Sequence, residues 1–325
     1  MKKLLKKTLK LILPIVLGGF ILFWVYHNFD FTKVGEVLLH GTNWWWMFFS
    51  LLFGVLAQVF RGWRWKQMLE PFPKRSDCVN AIFISYAASL IVPRVGEVSR
   101  CGVLAKYDNV SFAKSLGTVV TERLGDTLTI LLITGVTVLL QLPIFVTFLQ
   151  QTGTKIPSLL HLLTSVWFYI VLFCFIGVGM LLYYLRKTLF FYERVKGFVL
   201  NIWEGVMSLK GVRNIPLFSF YTLAIWGCYF FHFYFTFYCF AFTAHLSILA
   251  ALVMFVGGTF AVIVPTPNGA GPWHFAVISM MMLYGVNETD AGIFALIVHG
   301  IQTFLVVLLG VYGLAALSLT NRQRK

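Results

Sequence analysis

Long apolar runs, separated by short polar segments, set the pattern of this chain. A helix needs about 20 mainly apolar residues to cross the hydrocarbon core of a bilayer. By that criterion the sequence predicts six spans, at Leu11–Phe29, Asn43–Phe60, Arg123–Val146, Leu159–Leu185, Pro216–Phe242 and Ala291–Leu319. The expected fold class is therefore all-α: a polytopic membrane protein with a single integral membrane domain over residues 1–325.

Two further apolar stretches are too short to span, and each is interrupted by a turn. The first, at about 77–106, breaks at the segment PRVGE (93–97), and the second, at about 247–286, breaks at PTPNGAGP (265–272). Broken backbone at membrane depth is tolerated only where it is buried in protein or lines a wet cavity. The pattern thus predicts two re-entrant helical hairpins, inserted from opposite sides as in an inverted-topology repeat.

Composition and charge support a membrane protein and predict its orientation. Of the 325 residues, 59% are apolar and 12% are charged, which excludes a disordered chain and an ordinary soluble enzyme. The net charge of +14 reflects the cytoplasmic enrichment of basic residues and gives no reason to expect nucleic acid. With both termini cytoplasmic and an amphipathic cytoplasmic segment at about 186–214, only Lys33 and Lys155 of 26 basic residues face outward. The expected location is the cytoplasmic (inner) membrane.

Six charged residues in and after the first hairpin are the densest candidate site. They are Arg94, Glu97, Arg100, Glu122, Arg123 and Asp126. On a helix, Glu97 lies three residues from both Arg94 and Arg100 and can pair with either. Glu122 and Asp126, at i and i+4, share one helix face. A charge at membrane depth costs ~2.5–3.5 kcal/mol, so the presence of these six charged residues requires a physical explanation.

Two interpretations of this charged group remain open. The residues can form internal ion pairs that hold the hairpin and the next helix together. Alternatively, Arg94, Arg100 and Arg123 bind the phosphate of a lipid, and the carboxylates act as counter-charges or proton acceptors. Both hold if the carboxylates release the arginines when a phosphate arrives. The carboxylates are Glu97, Glu122 and Asp126.

The second hairpin offers a weaker candidate, formed by Pro265, Pro267, Gly269, Gly271 and His274. Its outgoing half-helix begins near Pro272, where free backbone N–H groups favour an anion. His274 is either structural or a phosphate donor and protonation switch. His299 and Gln302, one turn apart, are expected to make hydrogen bonds between helices.

The charged motifs PRVGEVSR (93–100) and ERLGD (122–126), with the Pro/Gly-rich second hairpin, resemble a known family. It is the transmembrane region of the lysylphosphatidylglycerol synthases, a flippase-like membrane domain. The likeness runs from about Leu11 to Leu319. Many members have Gly at the position of Asn268 and Glu at that of His274. The resemblance implies a protein that moves a lipid between leaflets, and we expect it to lack the soluble aminoacyl-transfer domain of bifunctional members.

The residues and the resemblance together favour a transporter of a phosphate-bearing lipid, either a membrane phospholipid or a polyprenyl-phosphate-type lipid. One alternative is a membrane enzyme that acts on a lipid phosphate, with Glu122 and Asp126 as a metal-binding pair. Another is a non-catalytic partner of lipid synthesis. We expect no catalytic residue, no cofactor, no resident metal and no nucleic-acid partner. The oligomeric state, a homo-oligomer included, is left open.

Overall fold

The computed structural model describes residues 2–69, 72–142, 166, 212 and 214–321. Within those ranges the chain forms helices and no strand; the one isolated β-bridge joins Thr42 to Phe240. The α-helices are α1 (Lys2–Tyr26), α2 (Thr32–Glu36), α3 (Trp44–Lys66), α4 (Arg75–Ile91), α5 (Val95–Tyr107), α6 (Phe112–Leu140), α7 (Ile215–Tyr234), α8 (Ile248–Ala261), α9 (Pro272–Leu283) and α10 (Glu288–Asn321). A π-helical turn covers Val37–Gly41, and 3₁₀ turns cover Phe235–Cys239 and Pro267–Gly269. These helices belong to one compact unit, Met1–Leu140 with Val212–Lys325.

Four helices in the described part of the chain are long and apolar enough to cross a membrane. They are Trp44–Lys66, Phe112–Leu140, Ile215–Cys239 and Glu288–Thr320. Three of them confirm the second, fifth and sixth predicted spans to within a few residues. The first predicted span falls on α1, whose described apolar part, Ile12–Tyr26, is shorter. The fourth span and the segment at about 186–214 lie outside the described residues, apart from 166, 212 and 214.

The helix of the third predicted span, α6, begins at Phe112, before the predicted start of that span at Arg123. The polar residues that interrupt the apolar pattern do not end the helix. They lie on one buried face, whose members recur at helical spacing: Ser115, Val119, Glu122 and Asp126. The opposite face carries exposed apolar side chains. The helix therefore continues through its charged residues because other helices supply their partners.

Helices α4 and α5 form the first hairpin and pack closely across the turn at residues 92–94. The backbone N–H of Gly96 donates a hydrogen bond to Ser89 Oγ at 3.2 Å. A Cβ atom at position 96 would overlap the carbonyl oxygen of Ser85. The hairpin thus depends on the missing side chain of Gly96, which allows α5 to approach the backbone of α4.

Helices α8 and α9 form the second hairpin, and its turn needs three residues with positive φ. These are Asn268 at 52°, Gly269 at 72° and Gly271 at 92°. A Cβ at Gly271 would also lie 2.8 Å from the carbonyl oxygen of Gly18, so α1 packs directly on this turn. Glycine meets both demands, since it tolerates positive φ and close backbone approach.

The two hairpins occupy corresponding places in the chain and have corresponding neighbours. Each lies between two long helices, α3 and α6 in one half and α7 and α10 in the other. Helix α3 packs against α7, α4 packs against α10, and α8 packs against α6. This reciprocal packing is what two related helical repeats would produce.

The first helix of the first hairpin approaches the turn of the second hairpin halfway along α10. Helix α4 contacts the Pro267–Gly269 turn, and the Asn268 amide donates a 2.8 Å hydrogen bond to Thr303 Oγ1. Helix α4 packs closely on α10 at Gly310, where an added Cβ would meet Ala87. From that contact the end of α4 runs toward Thr303. The structure therefore brings α4 and the turn of the second hairpin together beside one long helix.

Candidate anion site between the helices

Two arginines of α3 lie at the centre of the candidate site. Arg61 and Arg64 are 3% and 0% exposed, one helical turn apart. Arg61 Nη1 lies 2.7 Å from Asp126 Oδ2, and Arg64 Nη1 lies 2.8 Å from Asp126 Oδ1. Arg64 Nη1 also donates a 3.0 Å hydrogen bond to Thr222 Oγ1 on α7. One carboxylate of α6 therefore binds two guanidinium groups of α3.

Glu122 connects the same arginine pair to the first hairpin. Its Oε2 lies 2.5 Å from Arg100 Nη2 of α5, and its Oε1 lies 3.3 Å from Arg64 Nη2. The Arg100 guanidinium also lies 4.5 Å from the ring centroid of Trp65, whose indole N–H donates to Thr118 Oγ1 at 2.9 Å. Charged and aromatic contacts thus fix α3, α5 and α6 around one buried point.

A second, half-exposed ion pair adjoins this buried cluster. Arg123 Nε lies 2.6 Å from Glu97 Oε1, with side chains 48% and 32% exposed. Arg123 Nη1 also lies 3.8 Å from Asp126 Oδ2. The expected pairing of Glu97 with an arginine of its own helix is wrong, because Arg94 precedes the helix and Arg100 turns toward Glu122.

Arg94 stands apart from the other predicted site residues. It is exposed, its φ is 66°, and it caps the N-terminus of α5 from the hairpin turn. Within the part of the chain that the structure describes, its side chain makes no hydrogen bond and no ion pair. Arg94 is therefore a free cation at the turn, held in a left-handed conformation that is costly for a residue with a Cβ.

The buried cluster holds more guanidinium groups than carboxylates. Arg61, Arg64 and Arg100 face Glu122 and Asp126, and the Nε–H of each arginine has no acceptor among the described residues. A buried donor without a partner costs about 1–3 kcal/mol. A phosphate oxygen would satisfy both the spare donors and the excess positive charge. The arrangement is thus suited to an added anion.

In the second hairpin, the predicted site residues fall in the turn and in the first turn of α9. They are Pro265, Pro267, Gly269, Gly271 and His274. His274 is 3% exposed, and its Nδ1 accepts a 3.4 Å hydrogen bond from the Gly271 N–H. Its ring centroid lies 4.6 Å from that of His299, which contacts the Asn268 carbonyl oxygen at 3.1 Å. Through this contact His274 caps the first turn of α9, and its alternative role as a phosphate donor or protonation switch stays a prediction.

His299 was expected to make a hydrogen bond to another helix, and its Nε2 instead contacts the Asn268 carbonyl oxygen in the turn between α8 and α9. Gln302, one turn further on, leaves its buried Nε2 without an acceptor in the described ranges. No contact in those ranges joins this second group to the charged cluster of α3, α5 and α6. The charged residues around the first hairpin and the histidines around the second hairpin therefore form two separate groups.

Arg61 and Arg64 are the site residues that the sequence reasoning missed. Both follow the second predicted span, at an end where basic residues are expected from membrane orientation alone. Their spacing carried a signal, since Gln58, Arg61 and Arg64 recur every three residues and place three polar side chains along one side of an apolar helix. All three are buried. A polar stripe that continues one face of an apolar helix indicates helix packing more than orientation.

Long apolar helices joined by buried ion pairs define a multi-pass helical membrane protein. The family model described as Lysylphosphatidylglycerol synthase TM region matches residues 11–310. The chain belongs to this family, which confirms the resemblance carried by the two charged motifs. No curated protein and no solved structure matches the chain. Family membership associates the protein with lipid metabolism or transport in a membrane.

Proposed function

We propose that this protein moves a phosphate-bearing lipid between the leaflets of the cytoplasmic membrane and that the charged cluster binds the lipid phosphate. One observation carries the proposal: three buried arginines face two buried carboxylates, and each retains an N–H without an acceptor in the described residues. Buried charge is expensive in a membrane protein, and intramembrane arginines mark binding sites or pathways.

The charge balance suits a phosphodiester. With the outer pair included, the cluster has four arginines and three carboxylates, and all seven side chains lie in one chain of contacts. The single excess positive charge equals the single negative charge of a phosphodiester. A bound headgroup would therefore leave the site neutral, which lowers the cost of placing charges among apolar helices.

The half-exposed pair provides a way to exchange partners. Arg123 contacts Glu97 on one side and approaches Asp126 on the other, so it links the solvent-accessible edge to the buried arginines. A phosphate that binds Arg123 displaces Glu97, and each lost ion pair is replaced by a new one. Arg94, exposed and unpaired at the hairpin turn, makes the first contact with the headgroup in this scheme.

The hairpins supply the path. We take both to be re-entrant and oppositely inserted, with the termini cytoplasmic, as the distribution of basic residues predicts. Helix α4 of the first hairpin contacts the turn of the second hairpin, which lies beside Thr303, halfway along α10. Broken backbone at that depth lines a polar route for the headgroup, while the acyl chains stay in lipid.

The same geometry favours transport of an anion over a metal-assisted reaction. Glu122 and Asp126 would have to supply the metal ligands, yet their oxygens face the guanidinium groups of Arg61, Arg64 and Arg100. A divalent cation would bring further positive charge into a group that already has an excess. A membrane phospholipid or a polyprenyl-phosphate-type lipid fits the site instead.

The test is headgroup accessibility in reconstituted vesicles that contain a fluorescent phosphatidylglycerol. Wild type should expose inner-leaflet lipid to an external quencher, and Arg94→Gly should do so about fivefold more slowly, the effect of losing one contact worth about 1 kcal/mol. Lys114→Gln, which removes an exposed lysine of α6, is the charge-matched control and should behave as wild type. Equal rates for wild type and Arg94→Gly would contradict the assignment of Arg94 to the transport site. If the inner-leaflet lipid stayed protected from the quencher in every sample, the proposed transport function would be contradicted.

A further inference from the structure

A pocket of about 490 Å³ opens at the C-terminal end of α3, outside the charged cluster. Its walls come from α3, from the start of α7 and from the residues that lead into α4. The lining includes Trp63, Lys66, Gln67, Arg75, Leu217 and Tyr221. Lys66 is the last residue of its membrane-spanning helix, so the pocket lies where the apolar span gives way to the polar boundary of the membrane.

The pocket and the charged cluster use adjacent faces of the same two helices. On α7, Leu217 and Tyr221 line the pocket, while Thr222 Oγ1 accepts a hydrogen bond from Arg64 on the other side. On α3, Trp63 and Lys66 line the pocket, whereas Arg64 turns inward. The pocket is therefore a separate site that shares its walls with the cluster.

The polar part of the pocket is cationic and unsatisfied. Among the described residues, Lys66 and Arg75 make no ion pair, and none of the lining residues described is a carboxylate. Both polar atoms of the Gln67 amide are buried and have no hydrogen-bond partner in those ranges. Two free cations and a buried amide donor recognise an anion with several acceptor oxygens.

The other wall of the pocket is aromatic and apolar. The Trp63 and Tyr221 rings lie 6.1 Å apart between centroids, and Leu217 completes this wall. A free inorganic anion would leave that wall uncovered, whereas the glycerol and upper acyl segments of a lipid would cover it. Tryptophan and tyrosine at a membrane boundary are suited to such an amphiphile.

We infer that this pocket binds the headgroup of an anionic phospholipid at the membrane surface. Lys66, Arg75 and the Gln67 amide bind the phosphate, and Trp63, Leu217 and Tyr221 pack on the glycerol and the first acyl carbons. The site holds a lipid that resides in one leaflet, so its existence does not depend on transport. Its shared walls place the bound lipid next to the charged cluster.

The test uses the purified full-length protein and a phosphatidic acid with a photoreactive diazirine near the start of one acyl chain. After photolysis at a subsaturating lipid concentration, mass spectrometry maps the labelled peptides. Label is expected on segments 63–75 and 214–221, and it should fall roughly 25-fold in Lys66→Gln/Arg75→Gln, given about 1 kcal/mol for each interfacial cation. The charge-matched control Lys33→Gln/Lys114→Gln should label as wild type.

Two additional arms identify the ligand. A diazirine phosphatidylcholine, whose phosphate is offset by a cationic choline, should label the pocket weakly, and millimolar inorganic phosphate should not displace the phosphatidic acid. Equal labelling of wild type and the double variant, or equal labelling by both lipids, would overturn the inference. Displacement by inorganic phosphate alone would also overturn it, because the pocket would then be a site for a free anion.

A pocket-filling variant keeps the test independent of charge and of transport. Leu217→Trp fills the apolar wall, leaves Lys66 and Arg75 in place, and should also abolish labelling; undiminished labelling would argue against the assigned pose.

Arg94→Gly, which is expected to slow transport, should label as wild type. Loss of label in Arg94→Gly would show that the label reports the charged cluster and would overturn a separate site.

Discussion

Arg100 of the first hairpin and Glu122 of α6 form a buried ion pair with 2.5 Å between Nη2 and Oε2. Both side chains are almost fully excluded from solvent, at 2% and 0% exposure. The pair joins the hairpin to a membrane-spanning helix, and Arg64 of α3 shares the same carboxylate. The position of the hairpin in the helix bundle therefore depends on one charged contact and its neighbours.

Removal of the Glu122 carboxylate should destabilise the protein strongly. In Glu122→Ala, Arg100 and Arg64 lose a shared partner and remain buried, and breaking a buried pair in this way costs about 3–5 kcal/mol. The measurement is denaturant-induced unfolding in detergent. Thr127→Val is the matched control, because Thr127 is exposed on the same helix and bonds only to the Arg123 carbonyl. Similar unfolding free energies for the two variants would contradict the claim that the Arg100–Glu122 ion pair stabilises the helix bundle.

The first hairpin should tolerate a methyl group at one glycine of α5 and not at another. Gly96→Ala places a Cβ against the Ser85 carbonyl oxygen, so α5 must move, at a cost of about 1–3 kcal/mol. Gly102→Ala meets open space and should raise stability by up to about 1 kcal/mol through helix propensity. Thermal unfolding of the two single variants checks the prediction. Equal melting temperatures would show that the hairpin is not packed as described.

The turn of the second hairpin should distinguish Asn268→Gly from Asn268→Ala. Both variants lose the hydrogen bond to Thr303, which contributes about 1 kcal/mol. Alanine must also adopt the left-handed conformation found at this position, where φ is 52°, and glycine does so freely. Asn268→Ala should therefore be less stable than Asn268→Gly by about 1–2 kcal/mol, as measured by denaturant unfolding. The reverse order would contradict the described turn.

Arg94→Gly should keep the fold while it removes a cation. Glycine accepts the φ of 66° without strain, and no contact of the Arg94 side chain is lost among the described residues. The unfolding free energy should be unchanged or higher, by up to about 1 kcal/mol. The same unfolding assay checks this expectation. A loss of more than about 1 kcal/mol would mean that Arg94 supports the structure, and its role in lipid binding would need revision.

The hydrophobic pattern predicted the long helices, since their apolar length is the signal that a membrane imposes. It did not predict that α6 extends back to Phe112, because Ser115, Glu122 and Asp126 interrupt the apolar run. Those residues are buried against other helices, and a one-dimensional pattern does not contain their partners. The limits of such a helix depend on tertiary contacts.

The candidate site was predictable only in part for the same reason. Glu122 and Asp126 were assigned to one face from their spacing, and that face is buried in the structure. Arg61 and Arg64 come from a distant part of the sequence, where basic residues are also expected from membrane orientation alone. The choice of Arg123 as the partner of Glu97 reflects how α5 and α6 pack, which residue spacing within one helix does not encode.

The most direct test of the central claim, that the charged cluster binds a lipid phosphate, is the lipid that remains bound after purification. Mass spectrometry of lipids extracted from wild type, Arg123→Gln and the control Lys114→Gln would be compared at equal protein concentration. Wild type and the control should retain the same phosphate-bearing lipid, and Arg123→Gln should retain at least about fivefold less. Equal retention of that lipid by all three proteins would contradict the claim.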